Sequence, residues 1–146
     1  MPRPKTHRRP KNPRALTSES SVHGSFRDPS GFLFRGPDGA IHRQINERYR
    51  SDYETLTASG LYEDLTKRGL LVSHEEATDV SSGVPGAFKV VRPEQIPFIS
   101  YPYEWCFSQL RDAALITLEI QQRALDKRMS LKDASAYNVQ FRGPKP

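Results

Sequence analysis

Apolar residues mark two short runs, Gly31-Phe32-Leu33-Phe34-Arg35 with three in succession and Ala40-Ile41-His42-Arg43-Gln44-Ile45 with polar residues between Ile41 and Ile45. Between them Gly36-Pro37-Asp38-Gly39 supplies the chemistry of a tight turn, so the pair predicts a β-hairpin. From Asn46, placed to cap a helix, the spacing changes to three and four: Tyr49, Tyr53 and Leu56 recur, with Glu47, Arg50 and Glu54 between them. Gly60 breaks this helix. A second, shorter one carries Leu61, Tyr62 and Leu65, has Lys67 and Arg68 in its last turn, and stops at Gly69.

Further along, Leu70-Leu71-Val72 reads as a short buried strand and His74 to Gly86 as an acidic, Ser/Gly-rich surface loop. Phe88-Lys89-Val90-Val91-Arg92 predicts a strand, and Ile96-Pro97-Phe98-Ile99, demoted by Pro93 and Pro97, an edge strand or an extended connector. The longest regular element runs from about Glu104 to Arg128. One apolar stripe on it comprises Phe107, Leu110, Ala114, Leu118 and Leu125, and a second comprises Ala113, Ile116, Ile120 and Ala124. An apolar surface that wide predicts a helix buried on more than one side.

A polar loop follows from Ser130. Val139-Gln140-Phe141 then reads as one strand of a hairpin and Arg142 to Lys145 as its turn. The returning strand would fall beyond Pro146, so the chain reads as the front part of a longer protein, since a lone strand would keep an unpaired edge. The expected class is α+β: a β-hairpin and short strands with helices, one long buried helix, then a loop and a strand. That order also suits a kinase-like domain incomplete at its C-terminus.

Charge divides the chain in two. Of the net +5, residues 1–24 carry six Lys/Arg against one acid, and the remainder is balanced. Residues 1–24 therefore read as a disordered basic tail, too poor in apolar residues to offset the entropy of ordering it, and 25–146 as the folded domain. The tail could make a weak phosphate contact through counterion release, but a neutral body makes nucleic acid an unexpected partner. The single cysteine, Cys106, excludes an intrachain disulfide and suits a reducing compartment. Set between Trp105 and Phe107, it reads as a small buried apolar residue. No apolar run approaches the roughly 18 residues of a membrane span, so the expected location is the cytoplasm.

Two constellations could carry chemistry. Lys132-Asp133 with Asn138 five residues on has the spacing of a kinase-type catalytic loop, where the Asp orients a hydroxyl nucleophile and the Asn holds a metal. Against this, Leu131 stands where such loops carry His, and no glycine-rich phosphate loop precedes the hairpin. The alternative is a turn network in which Asp133 and Ser135 bond nearby amides. Tyr101 and Tyr103 lie in an aromatic cluster with Trp105 and Phe107, either a platform for a base or sugar or a core corner. Trp105 and Phe107 are expected to pack, leaving the two tyrosines as the ligand contacts. His74-Glu75-Glu76 lacks the second His of an H-E-x-x-H helix, because Thr78 stands there.

Three strings, Ile96-Pro97-Phe98-Ile99-Ser100-Tyr101-Pro102-Tyr103-Glu104-Trp105, Asp112-Ala113-Ala114-Leu115 and Ser130-Leu131-Lys132-Asp133-Ala134-Ser135-Ala136-Tyr137-Asn138, resemble the N-terminal region of a bacterial family of class I S-adenosylmethionine-dependent methyltransferases. The resemblance continues weakly through Asp28-Pro29-Ser30-Gly31-Phe32 and Ser59-Gly60-Leu61-Tyr62. It implies methyl transfer with S-adenosylmethionine for a parent protein, performed by a downstream methyltransferase domain that would be this region's partner and act on an acceptor not specified by these residues. It implies no cofactor for this stretch alone, which would support the catalytic domain or position the acceptor. Arg128 stands where that family commonly has Gly before the Met, a change expected to affect only the helix end.

Overall fold

The computed structural model describes Val22 and residues 28–146. The basic tail expected over residues 1–24 lies outside the described residues, apart from Val22, whose amide donates to the Leu33 carbonyl at 3.0 Å.

The predicted hairpin forms from β1 (Gly31–Arg35) and β2 (Ile41–Asn46), antiparallel with Gly31 opposite Ile45 and Phe34 opposite His42. Its turn holds because Asp38 accepts from the Ala40 amide at 3.0 Å and Gly39 takes a positive φ of 78°. Two further strands, β3 (His74–Glu76) and β4 (Ala87–Pro93), complete a four-stranded antiparallel sheet in the order β1-β2-β4-β3. The fold is α+β, as expected.

Among the described residues three α-helices accompany the sheet. A 3-10 turn at Glu47–Tyr49 leads into α1 (Arg50–Ala58), and Gly60, with a φ of 75°, separates it from α2 (Leu61–Lys67). Asn46 precedes that turn, but its side chain donates to the Pro29 carbonyl and accepts from Gln44 rather than capping the helix. The long helix α3 covers Phe107–Asp126. Leu61 and Leu65 of α2 and Ala124 of α3 form a buried cluster, joined by Leu56, Leu70, Ile120 and Met129. Arg123 fastens the same contact by an ion pair to Asp64 at 3.0 Å.

The end of α3 is a Schellman turn. Arg128 adopts the left-handed conformation (φ 58°), its amide donates to the Leu125 carbonyl, and the Met129 amide donates to that of Ala124, each at 2.9 Å. Met129 then packs on the cluster that holds Ala124.

Three local expectations are corrected. Leu70-Leu71-Val72 forms no strand, and Leu71 and Val72 are each 37% exposed. The edge strand lies just beyond it, at His74–Glu76, in the segment read as loop. It forms because the His74 amide and carbonyl both bond the Tyr62 hydroxyl (2.9 and 3.2 Å), while the Tyr53 hydroxyl meets the His74 imidazole at 2.9 Å. Val139-Gln140-Phe141 forms no strand, although Arg142 and Lys145 bridge across the expected turn, whereas Ile96-Pro97-Phe98-Ile99 is an extended connector, one of the two forms expected for it. The C-terminal segment binds the residues that follow the connector instead. Gln140 pairs with both the amide and the carbonyl of Ser100 (3.0 and 3.1 Å), and Trp105 stands edge-on to Phe141 at 4.9 Å.

The buried positions of β2 are partly polar. His42 stacks on Phe34 at 5.6 Å and shares a 3.1 Å hydrogen bond with the Ala40 carbonyl. Gln44 is fully buried, donates to Asn46 Oδ1 and accepts from the Ser82 hydroxyl, which draws the 77–86 loop over the sheet.

Candidate functional site

The two apolar stripes of α3 have different fates. Ala113 and Ala124 are buried and Ile116 and Ile120 half-buried, so the second stripe is the seated one. The first stripe faces away. Phe107 is 82% exposed, Leu118 65% and Leu125 59%, with Leu110 and Ala114 also exposed. At 3.6 residues per turn the two stripes are separated by roughly 120° around the helix. The expectation of a helix buried on more than one side is therefore corrected: α2 covers one side, and among the described residues the other apolar side has no cover.

Phe107 and Cys106 move outward together. Trp105 is buried as expected and its indole donates to Ser100 Oγ at 2.9 Å, which fixes the chain just before the helix. The helix then starts with Cys106 and Phe107 on the outside. Cys106 is an exposed free thiol, not a buried apolar residue; the Ser108 hydroxyl beside it, 3.1 Å away, holds its pKa below the ordinary range. Gln109 accepts from the Cys106 amide at 3.0 Å and closes the first turn.

Tyr101 and Tyr103 are brought together. Their rings stack 5.5 Å apart and within 5° of parallel, on a short 3-10 turn (Pro102–Glu104). Glu104 accepts from the Tyr101 amide at 2.7 Å and holds that turn. Tyr103 is 75% exposed, and Tyr137, on the turn after α3, is exposed as well.

Asp133 and Asn138 lie on the loop between α3 and the C-terminal segment. The Asn138 amide donates to the Asp133 backbone carbonyl and, at 3.4 Å, to Ser135 Oγ, so this side chain closes the loop on itself. Asp133 is exposed and takes a positive φ of 54°. The neighbouring Lys132 reaches across the molecule to Asp28 Oδ1 at 2.7 Å and Ser30 Oγ at 2.8 Å, while Arg43 approaches Asp28 Oδ2 at 3.2 Å. Partial desolvation would push the Asp28 pKa up, but the hydrogen bonds from Lys132 and Ser30 hold it below the usual carboxylate range.

A groove of about 790 Å³ separates α3 from the turn after α2 and from the C-terminal segment. Leu71, Val72, Ile96, Leu115, Ile116 and Val139 give it an apolar lining, with Lys67, Glu94, Glu119, Arg142 and Lys145 at its margin. Asn138 lines this groove, whereas Asp133, Tyr101 and Tyr103 do not. A smaller depression of about 300 Å³ by the sheet is ringed by Asp38, Glu75, Glu76, Asp79 and Arg92. Among the described residues no group of three or more His, Cys, Asp or Glu is arranged to hold a metal ion. No helix of the described residues is long and apolar enough to cross a membrane.

The chain is similar to the nodulation protein NoeA of Rhizobium meliloti (strain 1021), with 36% identity over 127 residues. Those residues make up 86% of this chain and 26% of NoeA, so the chain spans about a quarter of the length of the relative it matches. No family model matches, and no solved structure matches. The resemblance to class I S-adenosylmethionine-dependent methyltransferases is thereby corrected: the similarity found is to a protein named for nodulation, and no methyltransferase model matches the strings that suggested the family.

Proposed function

We propose that this chain is a non-catalytic supporting domain that works by docking onto another folded protein surface. The observation that carries this reading is the uncovered apolar stripe of α3. Monomeric soluble proteins rarely expose large contiguous apolar patches, and those that do use them as interaction sites. Burying Phe107, Leu118 and Leu125 would stabilise a complex by roughly 1.5–3 kcal/mol for each side chain fully removed from water. The single exposed Cys106 suits a reducing compartment, and we place the domain in the cytoplasm.

Excision of the matched 127-residue stretch from NoeA tests the supporting role. Soluble yield and melting temperature of the remainder should both fall, and insertion of this chain's sequence in that place should restore them. A remainder equally soluble and stable without the stretch would contradict the proposal.

A further inference from the structure

The geometry points to one occupant for the α3 stripe: a folded portion of the same larger polypeptide, of the kind that makes up the three quarters of NoeA outside the match. This rests on the supporting-domain reading and adds to it the partner.

Three observations carry it. First, the stripe runs from Phe107 to Leu125, about 27 Å at 1.5 Å per residue, which is close to the diameter of a small domain and longer than a short peptide anchor needs. Second, its charge suits protein rather than lipid. Over Phe107–Asp126 there are two basic and three acidic residues, with Arg111 paired to Asp112 at 2.8 Å and Arg123 to Glu119 at 2.9 Å. Helices that lie on anionic membranes are rich in unpaired Lys and Arg on their polar face, and this one is not. Third, the relative is about four times as long as the stretch it shares with this chain, so in that protein polypeptide is at hand to cover the face without a second molecule.

Such cover would act at high effective concentration, because tethering makes docking intramolecular. A modest apolar contact then suffices to hold it. The opposite side of α3 is already committed to Leu61 and Leu65, so the helix would become a spacer buried between two bodies.

The test compares one pair of substitutions, Leu118→Glu with Leu125→Glu, in two settings. In this chain alone both side chains stand in solvent, so the melting temperature should stay within about 2 °C of the parent value. In full-length NoeA carrying this chain's sequence in place of its own matched stretch, the same pair should lower the melting temperature by several degrees and lower soluble yield. An equal, small effect in both settings would overturn the assignment of the surface. So would a large loss in the isolated chain, which would make the stripe part of its own core. A concentration-dependent dimer of the isolated chain, abolished by the substitutions, would overturn it in favour of a second copy. Failure of the unsubstituted graft to restore NoeA would instead count against the supporting role itself.

Discussion

Ala124 and Leu125 are consecutive in α3, yet Ala124 is buried against Leu61 and Leu65 while Leu125 is 59% exposed. A step of about 100° around the helix carries the chain from the seated face to the open one. Ala124→Asp should therefore cost about 3 kcal/mol or more, because it places an unpaired carboxylate in the α2–α3 contact. Leu125→Gln, a neutral polar change that keeps helix propensity, should stay within about 0.5 kcal/mol. Urea midpoints of the two variants check the contrast.

The Schellman turn at the end of α3 holds Arg128 at a φ of 58°, a conformation that side chains with a Cβ adopt at a cost. Arg128→Gly should stabilise the chain by up to about 1 kcal/mol, the relief of the left-handed strain exceeding the extra freedom glycine gives the unfolded chain. Thermal unfolding reads this directly.

Lys132 and Asp28 join the loop after α3 to the segment entering the hairpin. Asp28 has a lowered pKa in the fold, so its contribution is present above the ordinary aspartate range and is lost as pH falls through the folded value. Lys132→Ala should cost about 1 kcal/mol or less at neutral pH, since both groups are partly exposed. The difference from the parent chain should shrink on acidification, which unfolding measured at pH 7 and below 4 would show.

His74 behaves with the opposite charge but the same slope. Burial between Tyr53 and Tyr62 pushes its pKa down, so the unfolded chain takes up a proton that the fold resists. Stability should fall from about pH 7 to pH 5 through this group. His74→Gln should flatten that part of the profile in a pH series of denaturant midpoints.

Much of the architecture is legible in the residues. Pro37-Asp38-Gly39 announces the hairpin turn, Gly60 and Gly69 bracket α2, and the three-and-four spacing of α3 sets its extent. Periodicity shows which residues share a face, but it does not show whether a neighbour covers that face. For that reason Phe107, Leu118 and Leu125 read as core and are exposed. The edge strand at His74–Glu76 is hidden because its three residues are polar and its order comes from two tyrosine hydroxyls contributed by α1 and α2. Leu71 and Val72, more apolar, read as the strand in its place. The spacing of Asp133 and Asn138 marks a closed loop in the fold, whose tie to Asp28 through Lys132 spans 104 positions and leaves no local trace.

Hydroxyl-radical footprinting of Phe107, Leu118 and Leu125 tests the central claim most directly. In the isolated chain all three should be modified at the rate of exposed side chains, and in NoeA carrying this chain's sequence they should be protected several-fold while exposed controls such as Phe98 stay unchanged. Equal modification of the three residues in both settings would contradict the account.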